Sequence, residues 1–187
     1  MHKVTYSMGM TLDGFITGPD GGIGWSSPDE EVFRLSIEEI KGVHVHLMGR
    51  KLYETMLYWE DPAELPSFGA IEQEWAGLWN PLPKVVFSRT LSEVQGAARL
   101  ATGSVAEEIE RLKAEPGDGD IAIGGATLAA EIADLGLIDE YLIRVFPVLV
   151  GGGGPMFARN ELQVDLELID ERTFPNGVVF LHYRTKR

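Results

Sequence analysis

Two hydrophobic periods alternate along this chain. Lys3 to Met10 is dense in apolar and β-branched residues and predicts a first strand. Phe33, Ile37 and Ile40 then recur at helical spacing. Ser27-Pro28-Asp29-Glu30 precedes them as a helix opening, with Ser27 as cap, Pro28 at the first helical position and Glu30 completing a capping box. Gly42 stops that helix, and Val43 to Met48 predicts a second strand. A polar, proline-containing stretch follows, then a helix over 70–79 and a third strand over 84–88. Ser104-Val105-Ala106-Glu107 is a second capping box, feeding a helix with Val105, Ile109 and Leu112 on one stripe. Asp120 to Ile123 is a short apolar strand that runs into Gly124-Gly125. The next helix carries Leu128, Ile132 and Leu135 and ends at Gly136. Ile138 to Val150 predicts a long strand interrupted by Pro147, and residues 164–170 and 178–184 predict a closing antiparallel pair.

Strands alternating with helices predict an α/β fold with a mostly parallel sheet and an antiparallel C-terminal edge. The 187 residues suit one domain spanning 1–187, and no linker, repeat or low-complexity tract divides them. Lys plus Arg number 16 against 29 Asp plus Glu, a formal net charge of −13. Such a surface opposes nucleic acid and anionic membranes, so an anionic ligand needs a local positive site. The absence of cysteine excludes disulfides and thiolate metal sites. No signal-peptide pattern or long apolar run is present, and the expected compartment is the cytoplasm.

Three predicted strand ends carry anion-binding chemistry. Ile123-Gly124-Gly125-Ala126-Thr127-Leu128 takes a buried strand through two glycines straight into a helix, which suits a pyrophosphate, and equally a tight strand-to-helix turn. Gly49-Arg50-Lys51 and Ser88-Arg89-Thr90 close two other strands, where Arg89 with Ser88 suits a 2′-phosphate and the same residues equally suit surface basics that end strands. Asp13-Gly14 and Trp25 bracket a Gly-rich loop able to close over a nicotinamide. Asp13 also suits a turn, and Trp25 also suits packing beneath the loop. Asp29, Glu30 and Glu31 favour a helix dipole, and one of them is a candidate proton donor. His44 and His46, two apart on a strand, share a face, but no third ligand accompanies them and no metal is expected. The run Gly151 to Gly154 reads as a flexible connection.

The order of these motifs resembles the RibD C-terminal domain, which shares the dihydrofolate reductase fold. Ser7 to Ile16 is similar to its opening, Met48-Gly49-Arg50-Lys51-Leu52-Tyr53-Glu54 to its Gly-Arg-x-Thr-Tyr/Trp-Glu motif, and Val86 to Thr90 to its third block. Ile123 to Leu128 with Gly136 to Glu140, and then Pro147 to Phe157, resemble the remaining two. The resemblance implies a three-layer dihydrofolate reductase-like fold with a sheet of about eight strands, and NADPH lying across the strand ends. It places Gly9 and Ile16 around the nicotinamide and Arg50, Lys51, Ser88 and Arg89 around the adenosine phosphates, with Trp25 and Gly49 as further cofactor-binding candidates. Gly124, Gly125, Ala126 and Thr127 would lie around the pyrophosphate, often with a cis bond at the glycine pair, and Leu128 is a further cofactor-binding candidate. Leu52 stands where the family often has Thr, and Asp29 and Glu30 compete for the single acid of dihydrofolate reductases. No deaminase segment precedes the matched residues, so the expectation is a free-standing reductase. It would act on the phosphoribosylaminouracil of riboflavin biosynthesis, or on a pterin or folate. Asp29, Glu30 and Asp13 are the candidate catalytic groups, and the partners expected are a small-molecule substrate and a second copy in a homodimer that Tyr141 to Val150 helps to form. A non-catalytic nucleotide-binding module is the reading from another class.

Overall fold

A computed structural model describes residues 2–26, 29–157 and 163–186. Eight strands form a single sheet: β1 (Val4–Thr11), β2 (Val43–Gly49), β3 (Lys84–Phe87), β4 (Ala98–Leu100), β5 (Asp120–Gly124), β6 (Glu140–Phe146), β7 (Leu166–Thr173) and β8 (Val179–Thr185). Their order is β4-β3-β2-β5-β1-β6-β8-β7. The first six in that order run parallel, and β8 and β7 add the antiparallel edge. Among the described residues five α-helices flank the sheet: α1 (Glu30–Ile40), α2 (Arg50–Met56), α3 (Ala70–Trp79), α4 (Val105–Ala114) and α5 (Ala126–Asp134). Among the described residues no helix is long and apolar enough to cross a membrane.

Side-chain alternation along the strands supplies a core on each face. Tyr6, Leu47, Val85, Ile121 and Ile123 pack on one face with Ile109 and Leu112 of α4 and Leu128 and Ile132 of α5. Met48 and Val86 point to the other, against Ile40, Tyr53 and Trp79, while Val32 of α1 packs on Phe146 and Val178. Lys84 is buried at the start of β3, where its Nζ donates to the carbonyls of Trp79, Asn80 and Leu82 and pairs with Glu60 at 3.2 Å.

Several expectations change at the boundaries. Asp29, rather than Ser27, caps α1: its Oδ1 accepts the Val32 amide at 3.0 Å, so Glu30 is the first helical residue and no capping box forms there. Ser27 and Pro28 lie outside the described residues. Helix α2 and strand β4 are elements that the hydrophobic pattern did not predict. Each is short, with one buried residue in α2 and none in β4. The long strand over 138–150 is only Glu140–Phe146, because Pro147 has no N–H to continue the ladder. That strand lies inside the sheet, where Tyr141, Ile143 and Phe146 are buried.

Glu108 shows how the acidic chain tolerates a buried carboxylate. Its side chain is 1% exposed and accepts from Arg99, Arg111 and the Thr102 amide where β4 meets α4. Burial pushes the carboxyl up, but the Arg99 hydrogen bond, the Thr102 amide and the two guanidinium charges outweigh it and hold the pKa down at about 2. A carboxylate with a lowered pKa stabilises the fold above its unfolded pKa and loses that contribution as pH falls toward 2. Glu108→Gln should cost about 3 kcal/mol at pH 7, the equivalent of a shift of roughly two pH units. Denaturant unfolding from pH 7 to pH 2.5 should show the gap to wild type closing as the medium acidifies; a gap independent of pH would contradict this assignment.

Candidate functional site

Parallel pairing brings the three sequence motifs to one edge. Met48 of β2 stands opposite Gly124 of β5, and Gly49 opposite Phe87 of β3. The segments that follow, Arg50-Lys51, Ser88-Arg89-Thr90 and Gly125-Ala126-Thr127, therefore leave neighbouring strands at the same level, each roughly 4.8 Å from the next. Helices α2 and α5 begin there at once, with Gly49 and Gly125 as caps and no side-chain hydrogen bond closing either. Their first-turn amides and the positive ends of their dipoles face the strand ends. Helix α4, beginning after β4 on the same edge, is instead closed by its own capping box of Ser104 and Glu107.

Around these amides stand the cations. Arg50 pairs with Glu54 at 3.1 Å, an exposed i,i+4 contact that an anion can replace at little cost. Lys51 and Arg89 are exposed, and neither has an ion-pair partner among the described residues. Ser88 accepts the amides of Thr90 and Leu91, so its hydroxyl builds the turn that presents Arg89. The Tyr53 hydroxyl accepts the Gln95 amide at 2.8 Å and fixes α2 against the loop before β4.

The two glycines of β5 and α5 have different reasons. Gly125 has φ +92°, where a side chain is strained. Gly124 is buried, and a Cβ there would overlap Leu52 Cδ2 and lie 2.7 Å from His46 Cε1. Its smallness is thus a requirement of packing as well as of any ligand. Leu52, in the family's Thr position, is the side chain that fills this space. Burial and the Lys84 charge push the His46 pKa down to about 4, so its ring is neutral at pH 7. The peptide bonds of the described residues are trans, so the implied cis bond at the glycine pair is not present.

Other nominated residues hold the scaffold. Leu128 packs its side chain into the core, leaving only backbone near the edge. Trp25 packs edge-on to Phe146 at 5.3 Å beneath the loop. Asp13 accepts from the Thr11 hydroxyl at 2.5 Å and from the amides of Val150 and Gly151 at 3.1 and 2.8 Å. The Thr11 hydroxyl, against some desolvation, and then the two amides hold its carboxyl below the usual range. The loop after β1 is tied further by Ile16 N to Gly154 O at 2.7 Å and Met156 N to Gly14 O at 2.9 Å. The glycine run 151–154 is therefore no free connection. It is one half of a double loop, and Gly153 lies too close to the Thr17 and Gly18 carbonyls to carry a Cβ. Asp29 caps α1, and Glu30 pairs with Arg34 at 2.6 Å. Gly9 lies on β1 under the Phe146 ring.

His44 and His46 part company at a bulge between Val43 and Val45. His44 stacks on His2 and contacts Glu115, whereas His46 packs on Trp79. A cavity of about 250 Å³ between α5, β1 and β6 is lined by Tyr6, Ala133, Tyr141, Met156 and Leu166, with no charged group among the described residues. The hydrophobic pattern did not predict a polar trio, half-buried Ser7 and Glu39 with buried Arg144, on the α1 side of the sheet. The signal was one Arg inside the apolar strand Tyr-Leu-Ile-Arg-Val-Phe.

Gly124→Ala should lower stability by about 1–3 kcal/mol through overpacking. Adding Leu52→Ala, which removes the overlapping methyl groups, should recover part of that loss. Denaturant unfolding of the single and double variants measures the coupling; strictly additive losses would refute the contact.

The chain is similar to known proteins over most of its length. The RibD C-terminal domain family matches residues 2–180. An uncharacterized Bacillus subtilis protein, YyaP, is 32% identical over 182 residues, covering 97% of this chain and 94% of that protein. Among solved structures, a Shewanella sp. PV-4 protein described as belonging to riboflavin biosynthesis superposes with TM-score 0.77 at 24% identity, covering 99% of both chains. A deaminase/5-amino-6-(5-phosphoribosylamino)uracil reductase from Thermotoga maritima gives TM-score 0.66 at 15% identity, covering 99% of this chain and 57% of that one. The eight-stranded sheet is thus of the dihydrofolate reductase type, and the chain belongs to the RibD C-terminal domain family.

Proposed function

We propose that this protein is an NADPH-dependent reductase acting on a C=N or C=O carbon of a small heterocycle. One observation carries the reading: two helix N-termini without side-chain caps, with Arg50, Lys51 and Arg89 beside them, meet on one edge of a chain whose formal net charge is −13. The residues fit a dinucleotide. Amides of Ala126 and Thr127 suit the pyrophosphate, with Gly125 held in a conformation that keeps the helix start open. Arg89 suits the 2′-phosphate, and Arg50 and Lys51 suit the adenosine side. When bound, NADPH supplies the hydride.

The chain supplies position and the exclusion of water. Asp13 pins the loop after β1 to the Gly151 loop and, held ionised at neutral pH, is a positioning residue rather than a proton donor. The proton then comes from solvent or from the Asp29/Glu30 end of α1. The reference substrate is the phosphoribosylaminouracil named for the Thermotoga relative, with dihydrofolate and pterins second. A silent nucleotide-binding module is favoured by one fact: Asp13, Asp29 and Glu30 each already have a structural partner.

Titration of tryptophan fluorescence with NADPH and NADH should show a preference for NADPH. Arg89→Ala should reduce that preference roughly tenfold, the worth of one charge-assisted hydrogen bond. An unchanged NADPH/NADH ratio would remove Arg89 from the 2′-phosphate. Loss of NADPH absorbance on adding a substrate from the reference panel separates a reductase from a silent binder.

A further inference from the structure

The cavity between α5, β1 and β6 lies on the α5 face of the sheet, away from the strand-end edge. Tyr6 is in the first half of β1, roughly 16 Å from Thr11 at the strand end. Three small side chains of α5, Ala129, Ala130 and Ala133, leave the space. Three rings wall it: those of Tyr6, Tyr141 and Phe157 stand 6.2 to 6.5 Å apart between centroids, with planes turned by 60 to 87°. A space of about 150 Å³ is enough for one benzene ring, so the 250 Å³ here takes a substituted ring or a fused pair.

Among the described residues that line it, two hydroxyls are the only polar side-chain groups. Tyr6 is 1% exposed and donates to Met156 O at 3.3 Å, which leaves its oxygen able to accept. Tyr141 is 8% exposed, and its hydroxyl has no hydrogen-bond partner among the described residues. Burial pushes both phenol pKa values up, and Tyr141 adds to the rise at Tyr6, so both hydroxyls are neutral at pH 7. Buried hydroxyls are nearly always paired, so Tyr141 marks a place for a polar atom. An ion would shed its water there with no opposite charge to meet it. A hydrocarbon would leave Tyr141 unpaired. A neutral hydroxyl on an aromatic body meets both conditions: it accepts from Tyr141 and donates to Tyr6, which donates onward to Met156.

We propose that this cavity binds a neutral phenol of one or two rings, at a site separate from the dinucleotide edge. Helix α5 joins the two places: Gly125 caps it at the edge, and Ala129, Ala130 and Ala133 wall the cavity. The proposal does not depend on the reductase reading.

The test uses 2-naphthol and naphthalene, the same fused pair with and without the hydroxyl. Equilibrium dialysis against the full chain should show 2-naphthol bound about fivefold or more tightly, the worth of one or two hydrogen bonds. Backbone amide resonances of Ala129, Ala130, Ala133 and Met156 should shift on adding 2-naphthol, and those of Gly49 to Lys51 should not. Tyr141→Phe keeps the ring and removes a hydroxyl that has no partner among the described residues, so the variant should fold as the wild type does. It should weaken 2-naphthol about fivefold and leave naphthalene within about twofold. Equal affinity for the two probes, no binding of 2-naphthol, amide shifts elsewhere, or an unchanged 2-naphthol affinity in the variant would each overturn the assignment. Should the variant not fold, the probe pair and the amide shifts of the unaltered chain decide. Sedimentation of the same samples identifies the rival occupant: a dimer that 2-naphthol neither enters nor dissociates gives the cavity to a second copy and overturns the phenol site.

Discussion

Six strands running parallel side by side send all their carboxyl ends to one edge, and that register decides where everything else can be. Each crossover helix must start at that edge, so its unpaired amides accumulate there. In most of the chain acidic residues dominate, and α4 closes its own start with Ser104 and Glu107. Helices α2 and α5 do not, because glycine occupies the cap position in both. The fold thereby builds positive potential from backbone and three cations in a molecule that is otherwise strongly negative.

The same register explains why the nominated carboxylates serve structure first. The loop after β1 and the glycine run after β6 leave adjacent strands, so they lie side by side and need a clasp. Asp13 is that clasp, and its three hydrogen bonds hold it ionised. Asp29 satisfies the start of α1. What remains under α1 is the Arg144–Glu39 ion pair, with Arg144 buried and Glu39 half-buried, a polar floor rather than a free acid.

The legible part of the sequence was what depends on period and on local caps. The apolar stripe of α4, Leu128 and Ile132 of α5, the Ser104 capping box and the strands β1, β2, β3 and β5 sit where their patterns put them, whereas Leu135 lies past the end of α5 and is exposed. Short elements escaped. Strand β4 has three residues, all half-buried, and α2 buries only Tyr53, so neither leaves a stripe to read. The three anion-binding motifs were legible because glycine and strand-ending cations are local signals. Their convergence is a property of sheet order. The Asp13 clasp, the ordered glycine run and the Ser7–Glu39–Arg144 trio were not legible, since each joins residues more than thirty, and mostly more than a hundred, positions apart. Gly124 shows a further limit: its sequence context suggests a ligand, yet Leu52 and His46 already require it to lack a side chain.

The central claim is that one strand-end edge holds the dinucleotide, and backbone amide chemical shifts on addition of NADP⁺ test it most directly. The account predicts that the largest shifts fall on Gly49 to Lys51, Ser88 to Thr90 and Gly124 to Thr127, three segments far apart in sequence and adjacent in the sheet. Shifts confined to the apolar cavity around Tyr6 and Tyr141, or to the β7 edge, would contradict it.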